Sequence, residues 1–287
     1  MHTRRHFLHQ AALLTTAAAV NPSELFKRKR ATGVQLYTLR TELKDIPGTI
    51  AKVAQIGYQQ VETFGYDAGK YLGMEPKAFA ALFAQNKLTT PSGHYYLPEF
   101  LFKGNDDVWK RAVEDAQHLK HTYMVVPWLE PQYRKDADGY KKLAARLSKA
   151  AELTKDGGMT LAYHNHDFEF SKDADGNVIL DYLLEHCDAS TVNFQMDLYW
   201  VTKAGQDPVE YFKRYPGRFK IWHVKDMDDQ GRFAPVGNGH IDFKRILANK
   251  KLAGMQYYYV EQDACFNETP LEAIVISHKG LANIGFK

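Results

Sequence analysis

Short apolar runs rich in β-branched and aromatic residues alternate along this chain with longer stretches whose apolar residues recur at helical spacing. The first pattern predicts buried strands and the second predicts amphipathic helices. The alternation repeats eight times after Thr32. The predicted strands are Val34–Leu39, Tyr58–Phe64, Leu88–His94, Tyr123–Trp128, Met159–His164, Val192–Leu198, Arg218–Val224 and Met255–Glu261.

The helices predicted between these strands carry end signals. Gly57 is typical of a helix C-cap, Pro76 suits a first turn, and Asp106 and Asp242 are predicted N-caps. The predicted helices are Ile46–Ile56, Pro76–Gln85, Asp106–Leu119, Tyr140–Lys155, Leu180–His186, Pro208–Tyr215, Phe243–Asn249 and Leu271–Leu281.

Eight strand–helix units predict an α/β fold, a (β/α)₈ TIM barrel over residues 31–287. The alternative is a doubly wound open sheet, which usually has a glycine-rich turn after its first strand. The first predicted strand instead leads into Leu39-Arg-Thr-Glu-Leu43. In a barrel, the functional residues are expected at the C-terminal ends of the strands.

Composition narrows the function classes. The 287 residues are 45% hydrophobic, and no linker-like segment divides them, which favours one domain. The net charge of +3 comes with basic residues concentrated at positions 27–30, so no nucleic-acid surface is predicted. Cys187 and Cys265 fit neither a zinc spacing nor a disulfide scaffold. The 17 Tyr, 16 Phe and 4 Trp suit core packing or a carbohydrate pocket.

Residues 1–30 are interpreted as a targeting segment. The paired Arg4 and Arg5 precede Phe-Leu and an alanine-rich stretch, which resembles a twin-arginine export signal with cleavage near Ala19. The alternative is an amphipathic start of the first helix. No transmembrane helix is predicted, and the expected location is the periplasm.

The last four predicted strands each carry an imidazole or a carboxylate at or next to their final residue: His164, Asp197, His223 and Glu261. Burying such a ring without a cation would cost several kcal/mol. Mixed nitrogen and oxygen ligands suit a borderline divalent ion, so the sequence predicts one Mn²⁺, Zn²⁺, Co²⁺ or Fe²⁺ ion.

Five motifs lie at or just after the predicted strand ends: Tyr163-His-Asn-His166, Phe194-Gln-Met-Asp-Leu-Tyr-Trp200, Ile221-Trp-His-Val-Lys-Asp226, Pro235-Val-Gly-Asn-Gly239 and Val260-Glu261. Together they resemble the xylose isomerase-like TIM barrel superfamily, and more closely its sugar phosphate isomerases/epimerases, which include ketose 3-epimerases and inosose dehydratase. The resemblance implies a metal held by Glu, Asp, His and Glu from the last four strands. Asp197, His223 and Glu261 match the last three of these ligands.

The chain departs from that pattern at two positions. His164 stands where the superfamily has a metal-binding Glu, and Trp200 stands where many relatives have His. Glu169 is an alternative fourth ligand. In the 3-epimerases both glutamates also move the proton, and only Glu261 remains here. The candidates for a second proton-transfer group are His166, Glu169, Lys225 and His94.

The resemblance implies a sugar isomerase or epimerase that acts through an enediolate. Export favours a free sugar or keto-sugar over a sugar phosphate. A lyase that eliminates from a 3-keto-glycoside or inosose is the runner-up, and a non-catalytic sugar-binding barrel is a further alternative. We expect Tyr37, Glu62, Trp128 and Trp200 to bind the carbohydrate. Neither nucleic acid nor membrane is an expected partner, and a homo-oligomer is left open.

Overall fold

The computed structural model describes residues 31–134, 137–173 and 176–286. The predicted export signal lies outside these ranges and stays a prediction. Among the helices of the described ranges, none is long and apolar enough to cross a membrane.

Eight parallel strands close into a barrel in the order β1-β12-β9-β8-β7-β6-β5-β2. Helices connect the successive strands, so the predicted TIM barrel is confirmed. The barrel strands are β1 (Gly33–Gln35), β2 (Gln60–Thr63), β5 (Thr89–His94), β6 (Tyr123–Val126), β7 (Thr160–His164), β8 (Val192–Asp197), β9 (Phe219–Val224) and β12 (Tyr257–Val260).

Two short antiparallel hairpins stand outside the barrel wall. The first pairs β3 (Tyr66–Asp67) with β4 (Lys70–Tyr71), and the second pairs β10 (Asp226–Met227) with β11 (Phe233–Ala234). Each hairpin follows a barrel strand on the side where the strands end. Together they extend the rim of the C-terminal face.

The α-helices surround the barrel. They are α1 (Ile46–Ile56), α2 (Pro76–Gln85), α3 (Pro98–Lys103), α4 (Asp106–His118), α5 (Ala137–Asp156), α6 (Ile179–His186), α7 (Leu198–Lys203), α8 (Pro208–Arg214), α9 (Phe243–Ala248), α10 (Lys250–Ala253) and α11 (Pro270–Ile284). Gly57 adopts a left-handed conformation with φ 111° at the end of α1, and Asp242 caps α9 by accepting from the Arg245 amide. Both end signals are therefore confirmed.

Two local predictions are wrong. The strand predicted over Val34–Leu39 stops at Gln35, and Leu36–Leu39 form a 3₁₀ turn. The Gln35 side chain accepts a hydrogen bond from the Tyr37 amide and starts that turn. The N-cap of α4 is Asn105 rather than Asp106, because the Asn105 side chain accepts from the Asp107 amide.

Candidate functional site

The barrel register places the four predicted ligands side by side. Asp197 at the end of β8 lies opposite His223 on β9, and His164 ends the neighbouring β7. Glu261 follows β12, which pairs with β9. One ligand atom from each side chain lies within 4.8 Å of the other three, and all four residues are buried.

Each histidine has one ring nitrogen engaged away from this cluster. His164 Nδ1 lies 3.0 Å from the Gln195 side-chain oxygen, so its Nε2 faces Asp197 at 3.9 Å. His223 Nε2 lies 2.5 Å from Glu62 Oε2, so its Nδ1 faces Glu261 at 2.7 Å. Such outer partners fix the tautomer and orientation of metal-binding imidazoles.

Asp197 shows the same division between its two oxygens. Oδ1 accepts hydrogen bonds from the Tyr199 and Trp200 amides at the start of α7, both at 2.9 Å. Oδ2 is buried and accepts no hydrogen bond of good geometry within the described ranges, although the Lys225 ammonium lies 2.9 Å away. The two backbone amides therefore hold the Asp197 carboxylate so that its other oxygen, Oδ2, faces the cluster.

A buried polar network supports the cluster from below. Gln195 donates to Glu62 Oε1 at 2.7 Å, and its oxygen lies 2.8 Å from His94 Nε2. Glu62 also accepts from Gln35 at 2.8 Å and from Ser92 at 2.6 Å. These contacts prevent the supporting side chains from rotating.

The ligand atoms of these four side chains suit a divalent metal ion. Two imidazole nitrogens and two carboxylate oxygens converge, and three of the four side chains are oriented by bonds on their far atoms. Nitrogen and oxygen donors of this kind suit Zn²⁺, Mn²⁺, Co²⁺ or Fe²⁺ better than Ca²⁺. His164, Asp197, His223 and Glu261 would hold such an ion.

A lysine and a further carboxylate adjoin the cluster. The Lys225 ammonium lies 2.9 Å from Asp197 Oδ2, 2.7 Å from Glu261 Oε2 and 2.9 Å from Asp263 Oδ2. Lys225 is 1% exposed, so its charge is compensated by these carboxylates rather than by water. Nothing in the sequence had singled out Asp263.

Burial and the charges of neighbouring groups raise the pKa of some cluster residues and lower the pKa of others. Burial raises the pKa of Asp197 to about 6 and lowers the pKa of His164 well below its usual value. Burial also disfavours the charged form of His223, but Glu261 and Glu62 outweigh it and raise the pKa of His223 to about 10. An ion at His223 Nδ1 must therefore displace a proton.

A cavity of about 660 Å³ opens above the cluster at the C-terminal face of the barrel. His94, His164, Glu261 and Asp263 contribute polar groups to its lining. Six Tyr, Phe and Trp side chains line its wall: Tyr37, Phe64, Tyr66, Tyr96, Trp128 and Trp200. The cavity has the size and the mostly apolar lining expected of a small-molecule site.

Two unpaired polar atoms mark where a ligand would bind in this cavity. His166 Nδ1 and Trp200 Nε1 are buried and have no hydrogen-bond partner within the described residues. Both residues line the cavity, and their rings lie 5.6 Å apart. A polar group bound between them would satisfy both atoms.

Some of the site residues predicted from the sequence line the cavity, and others do not. Tyr37, Trp128, Trp200, His94 and His166 line the cavity.

Glu62 and Glu169 do not line the cavity. Glu62 is fully buried beneath the cluster. Glu169 accepts from the Tyr163 hydroxyl and the His166 amide, both at 2.7 Å, and burial raises its pKa to about 7. Glu169 is not among the residues whose ligand atoms converge on the cluster.

Sequence reasoning missed Gln195 and Asp263, which contact His164 and Lys225. Gln195 carries one usable signal, because it stands two residues before Asp197 and therefore on the same face of β8. Asp263 lies in a loop after the last strand, and its spacing carries no such signal.

A family model described as xylose isomerase-like TIM barrel matches residues 50–263. The match covers well over half of the chain. The chain therefore belongs to this family.

Three relatives illustrate the range of similar proteins. An inosose dehydratase of Clostridium perfringens is 26% identical over 194 residues, 58% of this chain and 62% of that protein. The match thus spans less than two thirds of the relative's length. A sugar phosphate isomerase/epimerase structure from Parabacteroides distasonis is 26% identical, with a TM-score of 0.79 over 90% of this chain and 99% of that one. A structure of the IOLI protein with a bound zinc atom is 17% identical, with a TM-score of 0.66 over 88% and 97%, and shows likeness of fold alone.

Proposed function

We propose that this protein is a divalent-metal-dependent sugar isomerase or epimerase that acts on a free sugar or keto-sugar through an enediolate. One observation carries the proposal: His164, Asp197, His223 and Glu261 converge beneath a cavity lined with aromatic residues at the C-terminal face of the barrel. The relative named sugar phosphate isomerase/epimerase supports the reaction class.

A divalent ion held by these residues would polarise a carbonyl and an adjacent hydroxyl and acidify the C–H bond between them. Glu261 lies at the cavity edge of the cluster and is the proposed proton carrier on one side of the substrate. The Lys225 ammonium lies 2.7 Å from Glu261 Oε2 and 2.9 Å from Asp197 Oδ2, and its charge favours the charged forms of both carboxylates. The aromatic wall limits access of water to the reacting carbons.

The second proton carrier is proposed to be His166. Its ring lines the cavity, and its buried Nδ1 has no hydrogen-bond partner among the described residues, which leaves that nitrogen for a substrate group that reaches it. Burial lowers the pKa of His166 well below its usual value, which favours the neutral, basic imidazole. His94 also lines the cavity, but Gln195 and Glu62 hold its Nε2 at 2.8 and 3.2 Å.

A lyase that eliminates from a 3-keto-glycoside or an inosose is the second candidate. The relative named inosose dehydratase supports it. Both reactions begin with proton abstraction. In the lyase reaction a leaving group then departs from the neighbouring carbon, whereas in the isomerase reaction the proton is returned. His166 is then placed to protonate that group.

Incubation of the Mn²⁺- or Zn²⁺-loaded protein with ketoses, inososes and 3-keto-glycosides in deuterated water tests both candidates. For the isomerase we expect deuterium to enter next to the carbonyl of an epimeric product, and for the lyase we expect loss of the leaving group to give an unsaturated product. Asp197→Ala should abolish either reaction, and His166→Ala should slow it while the metal remains bound. Absence of both deuterium exchange and an unsaturated product, with metal present, would reject the reaction class.

A further inference from the structure

A second cavity of about 490 Å³ adjoins the cavity above the cluster. The two cavities share Tyr66, Asp67 and Tyr96 in their linings. The first alone falls within the range of about 300–1,000 Å³ that holds drug-sized ligands, which are larger than one hexose. A monosaccharide bound at the cluster would therefore leave the second cavity unfilled.

The boundary between the cavities is built from two rigid pieces. Tyr66 and Asp67 form strand β3 of the first hairpin, and the Tyr66 hydroxyl donates to Asp115 Oδ2 at 2.6 Å. Tyr96 is fixed by a hydrogen bond from its hydroxyl to Glu130. The rings at the junction are thus held in place before any ligand arrives, which lowers the entropic cost of binding.

Asp67 stands out among the charged residues of the second cavity. Glu99 pairs with Lys103, Asp107 pairs with Lys110, and Arg111 pairs with Asp115. The Asp67 carboxylate has no hydrogen-bond or ion-pair partner in the part of the chain that the structure describes. Asp67 is exposed and lines the same cavity as Tyr66 and Tyr96, so its carboxylate can accept hydroxyl hydrogens from a ligand whose C–H faces contact the tyrosine rings.

We propose that the second cavity binds the second ring of a keto-glycoside, so that the substrate is a keto-disaccharide or an aryl keto-glycoside, whose reacting ring carries the carbonyl, rather than a free monosaccharide. This inference rests on the proposed function and narrows its substrate class. The reacting ring would lie over His164 and Glu261, and the neighbouring ring would lie between Tyr96 and Val108 with a hydroxyl on Asp67.

Calorimetry with glucose, cellobiose, maltose and phenyl β-D-glucoside tests the second cavity without turnover. Val108→Trp fills the second cavity, whereas Glu114→Trp places the same side chain on an exposed position of α4. We expect at least one glycoside to bind the Zn²⁺-loaded wild type about tenfold or more tightly than glucose. Val108→Trp should abolish that preference and leave glucose binding unchanged, and Glu114→Trp should keep both affinities.

Asp67→Asn gives a second measurement that does not alter packing. It should weaken the preferred disaccharide about three- to tenfold, and weaken glucose by a smaller factor. Preference for phenyl glucoside over the disaccharides would identify an aryl aglycone as the occupant, whereas the reverse would identify a sugar. Equal affinity for all four probes, or a preference that survives Val108→Trp, would overturn the proposal.

The outcomes separate this inference from the proposed function. Glycoside preference that Val108→Trp removes, combined with no deuterium exchange, would support the second cavity and reject the isomerase. If instead a ketose exchanges deuterium at equal rates in wild type and Val108→Trp, and no glycoside is preferred, the isomerase would be supported. The proposal for the second cavity would then be rejected.

Discussion

Glu62 holds the polar groups beneath the cluster together. It is fully buried and accepts hydrogen bonds from Gln35, Ser92 and Gln195, while His223 Nε2 lies 2.5 Å away. Burial disfavours its charged form, but His94 and His223 outweigh burial and hold the pKa of Glu62 well below its usual value. We therefore assign Glu62 to the support of His223.

The variant Glu62→Gln tests this role. An amide cannot accept from every donor that the carboxylate serves, so His223 would lose its fixed orientation. We expect Zn²⁺ or Mn²⁺ affinity to fall roughly 10- to 100-fold, as for other groups that orient a metal-binding histidine. Chelator competition measures the change, and Glu75→Gln at an exposed position is the control. Unchanged metal affinity in Glu62→Gln would contradict the assignment.

His121 is a second buried residue with a testable charge. Burial lowers its pKa to about 3, and its ring nitrogens contact the Tyr95 and Thr63 hydroxyls at 2.9 and 3.4 Å. The folded pKa lies below the unfolded value of about 6.5, so the unfolded chain takes up the proton first as pH falls. This group therefore lowers stability as pH drops from about 6.5 toward 3.

Protonation of His121 in the unfolded chain lowers the free energy of unfolding by about 2 kcal/mol at pH 5 relative to pH 7.5. His121→Gln keeps a polar side chain and removes the titration, so its unfolding free energy should fall less between these pH values. Urea unfolding at both pH values measures the difference. His186→Gln, at an exposed histidine, should keep the wild-type acid dependence. An equal fall in wild type and His121→Gln would exclude this cause.

At the same scale, sequence reasoning found residues that end strands and missed residues that act from within them. His164, Asp197, His223 and Glu261 stand at strand ends, where barrel geometry brings polar groups together. Their supports depend on which atoms meet across the barrel. Gln195 and Glu62 are 133 positions apart in the chain, and strand spacing does not predict their hydrogen bond.

At the scale of elements, the sequence predicted seven of the eight barrel strands and most of the longer helices within one or two residues because each has a clear period. It missed the hairpins β3–β4 and β10–β11 and the short helices α3, α7 and α10, which are too brief to show a period. The first strand was predicted too long, because a buried apolar run does not distinguish a strand from a 3₁₀ turn.

The contact between α11 and the loop after β11 sets the position of one rim segment. A Cβ on Gly280 would lie 1.8 Å from the Val236 carbonyl oxygen. The Gly237 and Gly239 amides in the same loop both donate to Asp226 Oδ2, at 2.9 and 3.0 Å. The loop therefore cannot move aside without losing these bonds.

Gly280→Ala should destabilise the protein by roughly 2–3 kcal/mol, since the methyl group must push the helix from the loop. Chemical unfolding measures the loss. Asn283→Ala, at an exposed position of α11, should change stability by no more than about 0.5 kcal/mol. A neutral Gly280→Ala would show that α11 can shift at low cost.

At the scale of the whole molecule, the export proposal concerns a segment outside the described ranges. Replacing Arg4 and Arg5 by lysine keeps the charge and removes the paired-arginine motif. If the segment is a twin-arginine signal, the variant should stay in the cytoplasm uncleaved, whereas the wild type should lose roughly its first 20 residues. Cell fractionation with N-terminal sequencing measures both, and an intact Met1 on exported wild type would contradict cleavage.

Metal binding should stabilise the entire barrel, because the four ligands come from β7, β8, β9 and the end of β12. An unfolded chain does not hold these groups together, so an ion that binds only the folded state adds about 2.7 kcal/mol at 100 times its dissociation constant. Chelator-treated protein should therefore melt roughly 5–10 °C below protein saturated with Zn²⁺ or Mn²⁺.

The variant Asp197→Ala removes one ligand and should abolish this shift, whereas Asp229→Ala, at an exposed carboxylate of the loop between β10 and β11, should retain it. Calcium should produce a smaller shift than Zn²⁺ in the wild type, because two of the four donors are imidazoles. A Zn²⁺-induced shift of equal size in Asp197→Ala would place the stabilising ion elsewhere. In that case the convergence of the four side chains would need another explanation, with Lys225 as the cation that compensates their charge.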